Sequence, residues 1–291
     1  FRSASAMSEN TVVCEICPHH CAIPEGGRGK CRARGTRNGK NVPLLYGIMS
    51  SVALDPIEKK PLRRFYPGST ILSVGSFGCN LNCPFCQNWE ISMTDGSAYL
   101  QDIDSHYLAP DVLADMADGL RDRRNIGVAF TYNEPTICLE YILDTAPLLR
   151  EKGLKTVLVA NGCVEEQTAR QLLPHVDALN IDLKSFDAEI YRKTLGGDLD
   201  TVKSFIERAA AQCHVELTTL IVPGMNDSEA EMRALTDWVA SLPGGKEIPL
   251  HITRFFPRYR MTDRAATERK SILRLTEIAG EKLSYVYPGN M

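Results

Sequence analysis

Most of the ten cysteines in this chain fall into two tight groups, and their spacing points to metal chemistry. Cys79, Cys83 and Cys86 share one loop, Ser76-Phe77-Gly78-Cys79-Asn80-Leu81-Asn82-Cys83-Pro84-Phe85-Cys86. Thiolates spaced x3 then x2 can wrap three corners of a cubane [4Fe-4S] cluster, whereas most electron-transfer clusters take four cysteines. Three ligands leave one iron open, and an open position on a metal is where chemistry happens. A structural zinc completed by a ligand from elsewhere is the plainer alternative. Cys14, Cys17, Cys21 and Cys31 form the second group, among Gly26, Gly27 and Gly29. Four sulfurs suit tetrahedral zinc or a second, closed iron–sulfur cluster, and ligand softness does not separate the two. His19 and His20 either replace one of these thiols or face solvent. Cys138, Cys163 and Cys213 lie in apolar segments and read as small buried hydrophobes. Thiols grouped like this in a long chain imply a reducing, cytoplasmic setting and metal rather than disulfides.

Positioning such a loop takes a sizeable scaffold. The chain has 291 residues, 44% hydrophobic and 24% charged, with a net charge of -3. These values exclude a disordered or collagen-like chain and argue against nucleic-acid binding through bulk charge. No apolar run approaches the ~18 residues of a membrane span. Residues 1–6 read as an expression scar ahead of a native start at Met7. Residues 7–68 read as a Cys-rich metal-binding segment, too small for an independent core and tied down by its metal. One or two short strands are expected over 42–52, followed by the turn-rich Asp55-Pro56-Ile57-Glu58-Lys59-Lys60-Pro61. From Ile71 onward the pattern alternates. Strands are expected at 71–74, 127–131, 156–160, 178–183, 215–222 and 250–253, with helices at 110–123, 136–150, 165–173, 202–212, 229–242 and 267–280. Continuous Val/Ile/Leu strands between helices mean an α/β core over 69–291 with a parallel, helix-covered sheet. Six units make a doubly wound sheet or an incomplete barrel, and periodicity does not choose. Either way ligands meet the carboxyl ends of the strands, where Gly78-Cys79, Asn133-Glu134, Asn161-Gly162, Asp182-Lys184, Pro223-Gly224 and Arg254 fall.

The three-cysteine loop resembles the CxxxCxΦC signature of the radical S-adenosylmethionine (SAM) superfamily, with Phe85 as Φ. The resemblance implies a full or partial (β/α)6 barrel, a [4Fe-4S] cluster on Cys79, Cys83 and Cys86, and SAM chelated at the open iron. It further implies reductive cleavage of the sulfonium bond to give methionine and a 5′-deoxyadenosyl radical. Thr131-Tyr132-Asn133-Glu134-Pro135 stands where the family has Gly-Gly-Glu-Pro, which binds the SAM amino group; both glycines are replaced, while Glu134-Pro135 is kept. Asn161-Gly162 and Asp182-Leu183-Lys184 are similar to the Asn-Gly and Asp-Leu-Lys of activating enzymes related to pyruvate formate-lyase activase, where the lysine contacts SAM. A cation at a strand end suits a carboxylate, and a neighbouring Asp keeps it oriented. Leu220-Ile221-Val222-Pro223-Gly224 resembles the strand and turn that contact adenine. His251 falls near the family's late His-bearing strand, and a core histidine is the alternative. Val159 stands where activases often carry an Asp of a monovalent-cation site.

Cys14-x-Ile16-Cys17-Pro18-His19-His20-Cys21-x-Ile23, the later Gly-x-Gly-Lys-Cys-Arg-x-Arg, and Asp55 to Leu62 narrow the resemblance to the radical SAM member of the AmmeMemoRadiSam system. So do Phe65-Tyr66-Pro67-Gly68, the 86–92 stretch and the 180–186 stretch. The expected activity is that of a radical SAM oxidoreductase of activating-enzyme type, abstracting hydrogen from a partner protein's glycine. An electron donor such as flavodoxin or ferredoxin is implied. The alternatives are a small-molecule or RNA substrate, cleavage of a different S–C bond, and, more remotely, a non-catalytic iron–sulfur carrier or zinc module. Arg254, Arg258 and Arg260, interleaved with Phe255, Phe256 and Tyr259, form a run of the kind a nucleic-acid strand binds, and such a run is more often a sheet edge with solvated arginines.

Overall fold

The computed structural model describes residues 11–97 and 106–291; residues 1–6, read as a scar, lie outside them. The amino-terminal part is built from two small antiparallel pairs. β1 (Val12–Val13) pairs with β2 (Ala22–Ile23), and the loop between them carries Cys14, Cys17 and Cys21. β3 (Arg34–Arg37) and β4 (Lys40–Pro43) form a hairpin through Asn38-Gly39, both at positive φ, as a tight two-residue turn requires.

Among the described residues, all remaining strands join one eight-stranded sheet. β5 (Ser51–Pro56) runs antiparallel to β6 (Thr70–Gly75). β7 (Asn125–Phe130), β8 (Lys155–Ala160), β9 (Ala178–Asp182), β10 (His214–Ile221), β11 (Leu250–Arg254) and β12 (Val286–Gly289) then follow in parallel, each beside its predecessor. The strand order never reverses, so this is the singly wound order of a barrel rather than a doubly wound sheet. β5 and β12 form the two open edges, and the barrel is partial.

Two of the differences from the sequence-based expectation bear on the main sheet. The turn-rich reading of 55–61 began too early, because β5 runs through Asp55 and Pro56; a proline is tolerated on an edge strand, where its missing N–H costs no ladder bond. The seventh parallel strand, β12, was not anticipated: it has four residues, two of them Pro288 and Gly289, too few to show a period.

Alternate residues of each strand point to opposite faces. Leu72, Val74, Val128, Phe130, Leu158, Leu179 and Ile181 belong to the main core, shared with the covering helices. These include α1 (Pro110–Asp118), α2 (Leu139–Glu151), α3 (Glu166–Leu172), α4 (Leu199–Ala210), α5 (Glu229–Ser241) and α6 (Arg269–Gly280). Ile71, Ala129, Val157 and Ala178 turn inward and pack with Ile57 and Leu62 of the β5–β6 connection. The partial barrel is thereby filled at one end by the connection of its own first hairpin, and its strand ends are left to form the site.

The amino-terminal part is seated on this frame by a buried arginine. Arg34, 3% exposed, forms a two-pronged pair with Glu140 of α2 at 2.8 and 2.7 Å and donates to the Ile137 carbonyl at 3.0 Å. Around it, Cys31, Ala33, Leu45, Ile48, Phe77 and Ile137 make a small apolar core between the cysteine segment and the loop after β6.

Candidate active site

The three-cysteine loop leaves the end of β6 and is fixed at nearly every residue by its neighbours. Ser76 N–H donates to Asn133 Oδ1 (3.0 Å), and Asn133 Nδ2 returns a bond to the Gly78 carbonyl (3.1 Å). Asn80, 4% exposed, donates to the Cys163 carbonyl (2.7 Å) and accepts from Asn161 Nδ2 (2.8 Å). Asn82 N–H bonds the Leu195 carbonyl (2.7 Å), and Arg260 N–H bonds the Pro84 carbonyl (3.0 Å). Phe85, between the last two cysteines, is buried in the main core and anchors the loop.

Charged residues from successive strand ends meet this loop. Glu134, just after β7, is 2% exposed and has both oxygens engaged: one accepts from Thr136 N–H and Oγ1 (3.1 and 2.6 Å), the other from Asn161 N–H at the end of β8 (2.7 Å). Its carboxylate thus braces two neighbouring strand ends. Lys184, after β9, pairs with Asp182 at 2.9 Å, and its backbone N–H is held by Tyr191 Oη at 3.0 Å. Burial opposes the Lys184 charge, but Asp182 and the negative form of Cys83 outweigh it and push the ammonium well above its usual value. Burial also raises the Cys79 and Cys83 thiols, Cys83 to about 11. Glu134 and Cys83 add to the rise at Cys79, while Lys184 works against it at both. Burial likewise raises Glu134, against the pull of its donors and Lys184. Cys79, Cys83, Glu134, Asp182 and Lys184 therefore feel one another's charge. With Cys86, Asn133 and Asn161 they are gathered at one rim.

The remaining expected residues are placed differently. Val222 is fully buried behind the rim, its N–H capped by Asn226 Oδ1 at 2.7 Å. His251 is 4% exposed and lies 2.6 Å from Glu216 Oε2, a carboxylate that also holds His214 and the N–H groups of Arg63 and Arg64. The structure thus gives His251 a core partner and does not bring it to the cysteines. The arginine–aromatic run is no regular sheet edge: Phe255 is buried, and Tyr259 stacks on Trp89, just beyond Cys86, at 5.3 Å. Asn80, Asn226, Tyr191 and Tyr132 were missed. Single amides and tyrosines in loops carry no period, and only their place in or beside the motifs marks them.

The three thiols of the loop suit a cluster, which takes each thiolate at a separate corner. One ion needs its ligands about 2.3 Å from a single point. Among the described residues, no three His, Cys, Asp or Glu side chains converge around a single point, neither at this loop nor at Cys14, Cys17, Cys21 and Cys31. Cys14, Cys17, Cys21 and Cys31 are likewise near one another: the negative forms of the other three all raise the buried Cys17 thiol, after burial itself.

A partial parallel α/β barrel with three loop thiols at its carboxyl rim, beside a buried carboxylate and an ion-paired lysine, is the framework of an enzyme that uses an iron–sulfur cluster. The chain belongs to the radical SAM superfamily, whose match spans residues 73–235. Its family implies a [4Fe-4S] cluster and SAM. Uncharacterized protein MJ0808 of Methanocaldococcus jannaschii is 38% identical over 98% of this chain and 83% of its own. The pyruvate formate-lyase-activating enzyme of Clostridium pasteurianum is 24% identical over 60% of this chain and 71% of its own. Among solved structures, Streptococcus suis SuiB bound to S-adenosylmethionine superposes with a TM-score of 0.57 at 13% identity, covering 76% of this chain and 52% of that one. That likeness concerns the fold alone. Among the described residues no helix is long and apolar enough to cross a membrane.

Proposed function

We propose that this protein is the radical SAM member of an AmmeMemoRadiSam-type system, and that it acts on a protein target in the manner of glycyl-radical activases. Similarity to activating enzymes, including that for (2S)-3-sulfopropanediol dehydratase in Klebsiella oxytoca, supports the class of target. One observation carries the reading: Cys79 and Cys83 of the three-cysteine loop share a rim with Glu134 and Lys184 at electrostatic range. When bound, the cluster and SAM supply an electron and a sulfonium bond that it can break.

The chain's own residues do the rest. Cys79, Cys83 and Cys86 hold the cluster, releasing the protons that burial otherwise keeps on Cys79 and Cys83. Lys184, kept charged and aimed by Asp182, receives the SAM carboxylate. Asn133 and Glu134 set the strand end that meets the amino group, and Asn161 lies beside Cys79, its Nδ2 at 3.7 Å from the sulfur. Val222 belongs to the adenine side of the site through the turn that follows β10, while His251, paired with Glu216 in the core, takes no part in it. Cys14, Cys17, Cys21 and Cys31 hold a second metal, zinc or a further iron–sulfur cluster. The electron comes from a flavodoxin- or ferredoxin-like donor in the cytoplasm.

Anaerobic iron, sulfide and zinc counts on the wild type and on a variant with Cys79, Cys83 and Cys86 changed to Ala test the cluster assignment. About four irons are expected to disappear while the amino-terminal metal stays. Reduced protein incubated with SAM should yield methionine and 5′-deoxyadenosine; intact SAM under strong reduction overturns the reading.

A further inference from the structure

The connection between β5 and β6 carries an ion pair with no part in the site described so far. Lys60, 3% exposed, pairs with Asp55 Oδ2 at 2.9 Å, and Lys59 reaches Asp55 Oδ1 at 3.2 Å. Asp55 Oδ2, the oxygen held by Lys60, also accepts from Tyr132 Oη at 2.7 Å, and the Lys60 ammonium stands 4.5 Å from the centre of the Tyr132 ring. Burial and the neighbouring Asp55 charge push the Tyr132 phenol up to about 12, so it remains a donor throughout the neutral range.

Tyr132 is the residue that replaces the first glycine of the Gly-Gly-Glu-Pro turn. Its backbone nevertheless keeps a glycine conformation, φ +69°, in the left-handed region that disfavours a bulky side chain. Such a conformation persists only where the surroundings hold it. The ring lies across Gly75, where a Cβ would come within 2.8 Å of it, so the end of β6 is bare to make room. The Tyr132 carbonyl accepts from Asn88 Nδ2 at 2.7 Å, just beyond Cys86. On the other side come Asn133, which clips residues 76–78, and Glu134, which braces Asn161.

We propose that Asp55 and Lys60 are positioning residues for the SAM site: they hold the Tyr132 ring, the ring holds the left-handed turn, and the turn sets Asn133 and Glu134 against the cluster loop. This rests on the reading that the Asn133–Glu134 strand end binds SAM. A family glycine reaches this turn without help, whereas here a side chain reaches it under tension from the β5–β6 connection. That gives the Asp55-to-Lys60 stretch of the sequence a role in cofactor binding, at a distance from any cofactor atom.

The test uses the reconstituted holoprotein, with Y132F, D55N, K60M and the D55N/Y132F double variant. Three quantities are read: iron per chain, the midpoint of thermal unfolding, and SAM affinity from the change that SAM causes in the reduced cluster's EPR signal. Iron should stay at the wild-type level. SAM affinity should fall by about tenfold in Y132F and D55N, the size of one lost hydrogen bond to a charged group. The double variant should be no weaker than the worse single one, because both cut the same support. Y132F keeps the ring packed, and so carries the test should D55N fail to fold. Variants that bind SAM like the wild type, whatever their melting points, overturn the proposal and leave only a structural role. Additive losses in the double variant overturn it too. A wild-type signal that does not respond to SAM overturns the SAM reading itself, and this proposal with it.

Discussion

Gly78 sits immediately before the first cluster cysteine, and changing it to Ala probes how the two halves of the site are joined. Its φ is +83°, where any side chain is disfavoured, at a cost of about 1–2 kcal/mol. A Cβ there would also run into the Cys31 carbonyl oxygen and lie 3.1 Å from Ala33 Cβ, both on the amino-terminal part. Backbone cannot yield as a flexible side chain does, so overpacking adds about 1–3 kcal/mol. The sum, roughly 2–5 kcal/mol, corresponds to a fall in Tm of about 4–10 °C at about 2 °C per kcal/mol in a chain this long. Gly39 provides the control. It has φ +66° in the β3–β4 turn but nothing within 4 Å of its would-be Cβ, so Gly39→Ala should show the conformational cost alone. Thermal unfolding of both variants, with anaerobic iron counts, gives the contact cost by difference. Gly78→Ala should also retain less iron, because the clash is relieved by moving the cluster loop. Equal Tm losses in the two variants would refute the reasoning, since the cysteine segment would then not be seated on the loop.

Three further outcomes are expected. Arg34→Met should cost about 3 kcal/mol in urea unfolding, because it strands the buried Ile137 carbonyl and breaks a two-pronged ion pair; Glu140→Gln should cost about 1 kcal/mol, its side chain being 39% exposed. Glu216 is held at about 2 by His214, His251 and the Arg63 and Arg64 N–H groups despite burial, below the usual 4.5. Its contribution, roughly 3 kcal/mol, is therefore present in full above pH 4.5 and lost as pH falls toward 2. Urea midpoints measured across that window should drop more steeply for the wild type than for Glu216→Gln; parallel curves would remove Glu216 as the cause. Lys184→Met should leave iron content unchanged and weaken SAM binding by at least tenfold by equilibrium dialysis, as a charge-assisted contact is lost.

How much could be read from the chain alone depended on whether the signal was local. The cysteine spacings, the strand–helix alternation and the motif residues at strand ends are short-range features, and the loop 76–86, Glu134, Asn161 and Lys184 emerge from them at one rim. Strand order, by contrast, is a relation among segments far apart, and only the pairing of each strand with its successor decided for a barrel over a doubly wound sheet. The same holds for side chains whose partners are remote in sequence. His251 has the type and the place of a ligand, yet its partner is Glu216, 35 positions away on β10. Glu134 has the type of a direct cofactor contact, yet both its oxygens brace backbone and side chain around it. Tyr132, Asp55 and Lys60 carry no period, and their meeting follows from β5 folding back along β6 beside the end of β7. Sequence fixes which groups exist and how far apart they stand along the backbone; which buried charges meet is set by packing, because a buried charge is stable only where the fold brings it a partner.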